Sequence, residues 1–489
     1  LSVVMFMGLA LWLVSNGKDR LLPEGKIGTF MRVLIVLVTV SNLVITIAID
    51  YWVFWVLNIV GVLLLAAFVF IQSAEFPDPK RFMLPMLVLL VSILLMFLPS
   101  PLRLGLPVVI SPSYSTSFSI AKQALSQSPL RVVLGTGPGT FIHDYVSYHP
   151  QAINNTQFWS FRLDRAKSQL ITTLAMLGVL GTLLWLATMV YTAVRALGRL
   201  IGEREAEEWK MTYVFFVGWA VTFLAHLLYS SNFTLTFLLW AITGLLASQV
   251  AVKVWQTDFG RSHRLGLAVS FAFVVVAVGV VASLFISGQR YAAEVAFAKA
   301  VSLDRAGSSV TDVIGKLGDA VRYNGLSDEY YRNLSSAILA RAGEVIREAG
   351  SAELTAEQTQ LVANLVQSSI NAAARATALE PYNSQNWVVR GAVYRDVMAF
   401  ANGAEDLAAS SYLRATELDP LNPSHQTDLA RVYLAVADRA RTLKSAESKE
   451  LADTAATREV ELLKQAEETL QKAITLKGDY APAHYYLDA

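Results

Sequence analysis

Seven stretches of the chain are apolar over a length that crosses a bilayer: residues 30–49, 52–72, 82–99, 168–194, 211–229, 233–252 and 265–287. Each is apolar on every side rather than striped, and about 20 such residues span a hydrocarbon core roughly 30 Å thick. One run alone would pass as a buried soluble helix. Seven in succession would not find enough protein to cover them. A shorter run over 1–14 adds a partial eighth span, and the shortest full run, 82–99, carries Pro85. Residue 1 is Leu and the first run ends near Val14, so the N-terminus reads as truncated.

From Tyr291 the texture changes to Ala-rich amphipathic segments with Leu and Tyr at helical spacing. A repeat is visible: ALEPYNSQNWVVRGAVY (378–394) is followed by ELDPLNPSHQTDLARVY (417–433), which aligns Pro381 with Pro420 and Tyr394 with Tyr433. Trp387, Arg390, Gly391 and Tyr394 are spaced as in the tetratricopeptide (TPR) signature, which the segment resembles, with Arg where Leu is usual. A third start, 474–489, breaks off inside its first helix, so the C-terminus also reads as cut. Segments 296–305 and 320–340 read as degenerate earlier copies. Helical hairpins of this kind bury their faces only against neighbours. The pattern predicts an all-α chain: a polytopic membrane domain over 1–287 with about eight visible spans, then a soluble helical solenoid over 288–489. The solenoid groove would take a protein or peptide partner, or the solenoid would act only as a stalk.

Charge sharpens the division. Residues 1–287 hold 19 Lys/Arg against 12 Asp/Glu, a net of +7, and residues 288–489 hold 21 against 27, a net of −6. Lys18, Arg20, Lys26 and Arg32 surround one connection, and Lys80 and Arg81 lie in another. Arg195, Arg199, Arg204 and Lys210 fill a third, and Lys253, Arg261 and Arg264 a fourth, whereas Asp50–Tyr51 and Ser230–Asn232 carry none. Basic connections stay cytoplasmic. The long 100–167 loop and everything after 287 are therefore expected to face outward, from a bacterial inner membrane on the family reading below. The chain has no Cys, which excludes disulfides and thiolate chemistry.

The 100–167 loop is too long for a mere connection. It carries Arg103, Lys122, Arg131, Arg162, Arg165 and Lys167 against Asp144 and Asp164, a net of +4. Gly135, Gly137 and Gly139 form a tight turn. It is no P-loop, since no Gly-Lys-Ser/Thr follows and Pro138 removes one donor. If 162–167 is already helical, Arg162 and Arg165 share a face. With Lys167, and with Arg131, they would grip a pyrophosphate, since Arg forks suit phosphate oxygens. Alternatively they anchor a helix end by snorkelling, with Phe158, Trp159 and Phe161 as an aromatic belt. His143 and His149 are candidate general bases, or plain loop histidines. His226 lies near the end of a span, where a structural role competes with a functional one. No metal-ligand spacing appears, and Asn154-Asn155-Thr156 is formally a glycosylation sequon.

Two motifs carry a resemblance. A Gly-x-Gly-x-Gly-Thr-Phe turn (Gly135–Phe141) precedes a polar segment, and the next span opens with Ile171, six residues and Gly178-x-x-Gly181. This resembles the O-antigen ligase and polymerase family of bacterial surface-glycan membrane enzymes over residues 80–250, and fusion to TPR repeats occurs in that family. The resemblance implies a GT-C-type helical fold and glycan transfer from undecaprenyl pyrophosphate to an acceptor hydroxyl, with no cofactor, nucleotide sugar or metal. The implied partners are a lipid-linked glycan and membrane lipids, not nucleic acid. The family's usual His–Asn pair falls on Lys167–Ser168, so either His143 or His149 replaces the missing His as base, or the mechanism leans on electrostatics, or this branch has changed chemistry. The competing reading is a non-catalytic membrane-anchored TPR scaffold that recruits extracytoplasmic proteins.

Overall fold

The computed structural model describes residues 1–15, 22–23, 25–71, 76, 78–102, 110–201, 208–251, 262–350, 353–398, 401, 403–443 and 449–488. Arg103, Lys18, Arg20, Arg204, Lys253 and Arg261 lie outside them. Among the described residues every regular element is helical. Seven helices are long and apolar enough to cross a membrane. The chain divides into two compact units, 1–148 with 163–256, and 149–162 with 257–489.

The first unit holds α1 (Ser2–Val14), α2 (Lys26–Ile49), α3 (Trp52–Ile71), α4 (Met83–Phe97), α5 (Tyr114–Leu125), α6 (Pro129–Leu134), α7 (Phe141–Tyr148), α8 (Gln169–Ile201), α9 (Glu208–Leu228) and α10 (Phe233–Val250). The short α1 is its centre. Met5, Phe6, Leu9 and Ala10 are fully buried, and α1 packs against α2, α3 and α9. Two glycines admit it. A Cβ at Gly61 would lie 2.4 Å from the Phe6 ring, and one at Gly218 would lie 2.4 Å from Met7. Small residues let helix backbones approach closely where lipid supplies no hydrophobic drive between helices. Pro85 sits in the first turn of α4, where a missing N–H breaks no helical bond.

The second unit begins with α11 (His263–Arg305), unbroken over 43 residues. At 1.5 Å per residue that is about 65 Å, roughly twice the hydrocarbon thickness. Its apolar first half is uncovered by protein, with Val274, Val281 and Phe285 exposed, as suits a lipid-facing span. Its second half packs on α12 (Val310–Tyr323). The boundary expected at 287/288 therefore falls inside one continuous helix. Hairpins follow: α13 (Asp328–Ala349) with α14 (Ala356–Leu379), α15 (Ser384–Val397) with α16 (Ala404–Leu418), and α17 (Pro423–Leu443) with α18 (Lys449–Leu476), each resting on the next, and α19 (Ala481–Asp488) on α17 and α18. Thr355 and Gln358 form a capping box on α14, and Asn383 caps α15.

Gly391 shows why the repeat carries a small residue at that position. A Cβ there would lie 2.8 Å from the ring of Tyr412, which is 1% exposed. Gly391→Val is expected to cost about 1–3 kcal/mol by overpacking, read as a lower melting temperature in circular dichroism.

Candidate functional site

The glycine turn docks on a break in α8. Gly135, Gly137 and Gly139 have φ of 78°, 116° and 78°, the left-handed region where only glycine is comfortable. Opposite them, Gly178 interrupts α8 at φ 64°, ψ −169°. In an unbroken helix the carbonyls of Ala175 and Met176 would accept from residues 179 and 180. Instead Thr136 N–H donates to Ala175 O at 3.0 Å and Gly137 N–H to Met176 O at 2.9 Å. The turn replaces the helical donors lost at the break. Those N–H groups are spent, so the turn is a bracket for a bent span rather than an anion cradle.

A buried carboxyl completes the bracket. Thr136 Oγ1 donates to Asp144 Oδ2 at 2.7 Å and lies 2.7 Å from Thr140 Oγ1. Burial raises the Asp144 pKa to about 6, opposed by the Thr136 hydrogen bond and the nearby Arg131 charge. For an acid whose folded pKa is raised, the folded state binds the proton more tightly, so stability is greatest at low pH and is lost as pH rises. The window runs from the ordinary carboxyl value of 3.8 to about 6. The loss is at most about 3 kcal/mol. The melting temperature of the wild type should fall between pH 4 and 6, and Asp144→Asn should flatten that slope.

The loop returns to the first unit through an irregular stretch with bends at 164–165 and 167–168. Ala166 N–H donates to Thr172 Oγ1 (3.1 Å), Lys167 N–H to Ser117 Oγ (2.9 Å) and Gln169 N–H to Tyr229 O (3.1 Å). α8 starts only at Gln169, so Arg162 and Arg165 do not share a helical face, contrary to the spacing argument. Ser168 caps α8, its hydroxyl accepting from Ile171 N–H at 3.3 Å.

Lys167 occupies the most distinctive environment. Its Nζ donates to Ser111 Oγ at 3.0 Å and lies 5.6 Å from the Tyr51 ring centroid. Among the described residues it forms no ion pair, and burial lowers its pKa. Tyr51 and Tyr229 meet edge to face with centroids 5.9 Å apart, and Tyr114 donates its hydroxyl hydrogen to Leu228 O. The Tyr51 hydroxyl is buried without a hydrogen-bond partner. Among the described residues the partly desolvated ammonium has no counter-charge, a chemistry that suits an anion.

Arg165 differs. Its Nε and Nη2 grip Asp164 at 2.7 and 2.6 Å, and Nη1 donates to Ser231 O at 3.0 Å. Asp164 neutralises it, and that hydrogen bond raises its pKa. His226 stands behind Ser231: Nδ1 donates to Thr222 O at 2.8 Å and Nε2 lies 3.1 Å from Ser231 Oγ. Asp164, Arg165, Tyr229, Ser230 and Asn232 line a cavity of about 360 Å³. Tyr229, Ser230 and Asn232 also line a second cavity of about 280 Å³, otherwise walled by apolar residues such as Val53, Leu57, Val221 and Leu238. Polar and apolar cavities thus share a rim.

The six candidate residues divide between the two units. Arg165, Lys167, Arg131 and His143 belong to the first unit, and His149 and Arg162 to the second. Arg131 is exposed on α6, His143 lies on α7, and His149 is buried at 6% exposure. Arg162 Nη1 donates to Asn383 Oδ1 at 2.7 Å. Burial lowers its pKa, while Asp419 and Asp328 oppose that. The sequon's Asn154 is 0% exposed, its amide donating to two carbonyls, so it offers no glycosylation site in this fold. Among the described residues no group of three His, Asp or Glu could hold a metal. Sequence reasoning missed Tyr51, Ser111, Ser117 and Tyr229. The available signal was that the two connections free of Lys and Arg, 50–51 and 230–232, meet Asp164–Lys167 at one end of the unit. No protein-family model matches the chain, and no curated protein matches it.

Proposed function

We propose that the protein is a membrane glycosyltransferase of the O-antigen ligase and polymerase kind, moving a glycan from an undecaprenyl-pyrophosphate carrier to an acceptor hydroxyl at the outer face of a bacterial inner membrane. The observation that carries this reading is Lys167: a partly buried ammonium, without an ion pair among the described residues, over the ring of Tyr51, which meets Tyr229, a residue that lines both cavities. On this reading the apolar cavity takes the start of the isoprenoid chain. Lys167 and the Tyr51 hydroxyl hold the pyrophosphate, whose negative charge grows as the glycosyl bond breaks. Arg165, held by Asp164 and Ser231, shapes the rim and keeps free N–H groups for a second phosphate oxygen. His143, the candidate loop histidine in this unit, would take the acceptor's proton. The bent α8 supports the reading because the two motifs behind the family resemblance, the glycine turn and Gly178, meet there.

The second unit is read as a TPR solenoid. The 480 Å³ cavity between α13 and α15, lined by Leu339, Gly343, Arg347, Val389 and Asp396, is where a peptide partner would lie. The test of the enzymatic reading is release of lipid pyrophosphate when purified protein meets a synthetic lipid-pyrophosphate glycan and an acceptor. Wild type should turn over and Lys167→Ala should not. Full turnover by Lys167→Ala, with the protein normally inserted, overturns the site.

A further inference from the structure

Every residue of α6 except Arg131 is apolar, yet none is buried. Leu130, Val132, Val133 and Leu134 are 41–67% exposed. The preceding α5 behaves otherwise: Ile120, Ala121 and Ala124 are fully buried on its inner side, and Phe118 and Lys122 are exposed on its outer side. α6 packs on α8, where Leu177, Val179, Leu180, Leu183 and Leu184 around the break are exposed as well. The two apolar surfaces meet at Gly178, whose Cβ would lie 2.5 Å from Val133 O. The backbone there is provided for from within. Arg131 and Val132 N–H donate to Ser128 O, Gly135 N–H donates to Arg131 O, and Thr136 and Gly137 N–H serve the carbonyls freed in α8. Irregular backbone is tolerated at membrane depth only when protein supplies its partners. Length fixes the depth. Arg195 is the first charged residue along α8, 17 positions after Gly178. At 1.5 Å per residue they lie about 26 Å apart, close to the roughly 30 Å of a hydrocarbon core. With Arg195 at one face of that core, Gly178 lies just inside the other.

We propose that α6 is seated in the lipid leaflet at that face, its Leu and Val side chains among the acyl chains, and Arg131 and Lys122 on the phosphates of anionic headgroups. Segment 129–140 is then a re-entrant piece of the membrane domain rather than part of a water-exposed loop. Helices that lie in the interface sink roughly 5–10 Å into the boundary between headgroups and acyl chains, which suits a helix docked at Gly178. Water would leave the aliphatic side chains of α6 unfavourably hydrated, and lipid removes that cost. Residues 110–140 hold Lys122 and Arg131 and no Asp or Glu, so the charge of the segment matches an anionic surface. The long stems of both residues let their charges reach the headgroups while the carbon chains stay in the apolar layer. The glycine bracket thereby gains a second role, returning the chain from the lipid with its donors already occupied. This seating rests on the membrane reading of the spans and not on glycan transfer.

The chain has no Cys, so single-cysteine variants each report one position. Leu130→Cys, Val133→Cys, Gln127→Cys and Leu184→Cys would carry a small fluorophore in vesicles of phosphatidylcholine and phosphatidylglycerol. Nitroxides on the acyl chains near the headgroup should quench labels at 130 and 133 several-fold more than at 127, an exposed polar position between α5 and α6. Nitroxides near the bilayer centre should act mainly at 184. Quenching at 130 and 133 no stronger than at 127 overturns the proposal. Labels there that are shielded from nitroxide lipid and from aqueous iodide alike mean that a second copy or another protein covers α6, which overturns it too. The wild type gives a reading free of substitutions. A phosphatidylglycerol with a photoreactive group in its acyl chain should leave adducts on 129–134 as well as on 179–191, and adducts on 179–191 alone overturn the seating. Arg131→Glu should lower the adducts on 129–134 several-fold and leave those on 179–191 unchanged. Equal adducts on 129–134 would overturn the headgroup contact.

Discussion

Lys167→Ala is expected to reduce glycan transfer by roughly 10²–10³-fold, the usual loss when one group facing developing anionic charge is removed from a sheltered site. The protein should still insert and fold, because the backbone N–H of residue 167, not the side chain, makes the structural bond to Ser117. Lys167→Arg should retain part of the activity, since the charge survives but the longer fork does not fit the Ser111 contact. The pH response adds a second readout. Binding an anion needs the ammonium form, and burial has already moved the Lys167 pKa down from 10.5. Affinity for farnesyl pyrophosphate should therefore weaken on the alkaline side at lower pH than an exposed lysine would allow. The measurements are lipid pyrophosphate release and titration of binding against pH.

Gly135→Ala and Gly178→Ala are expected to be the most damaging changes to the fold. A Cβ at Gly135 would lie 2.3 Å from the carbonyl of Met176, and one at Gly178 would lie 2.5 Å from Gly135 N and Val133 O. Each neighbour is backbone and cannot rotate aside, and both positions have positive φ. Overpacking and left-handed strain together cost on the order of 4 kcal/mol. Gly139→Ala is the internal control: it has the same φ as Gly135, but nothing lies within 4 Å of its Cβ, so only about 1 kcal/mol is at stake. Size-exclusion profiles and melting temperatures in detergent should show aggregation or early melting for the first two and near-normal behaviour for the third. Wild-type melting by Gly135→Ala would mean the bracket does not hold α8.

The spans were legible because continuous apolarity is a local property. The runs at 52–72, 211–229 and 233–252 match α3, α9 and α10 within three residues of each end, close to the usual uncertainty of helix boundaries. The break at Gly178 was not legible, because a single glycine in an apolar run is ordinary in membrane helices. It becomes a break only when a turn some 40 residues earlier supplies N–H donors for the freed carbonyls. The shared helical face of Arg162 and Arg165 did not form, because α8 starts only at Gln169. Proximity in sequence says nothing about which charges find partners: Arg162 meets Asn383, Arg165 meets Asp164, and Lys167 meets hydroxyls and rings.

By itself the sequence determined the helical class, the seven apolar spans, the hairpin texture after residue 291 and the importance of the loop. Each follows from hydrophobic period or composition within a window of a few dozen residues. Only the tertiary structure decided which loop residues stay with the spans and which join the hairpins, that the glycines form a bracket, and that Lys167 has no counter-charge among the described residues. Those outcomes depend on contacts between residues some 40 to more than 300 positions apart. Burial, unpaired carbonyls and charge neutralisation choose among such partners, and no local pattern records that choice.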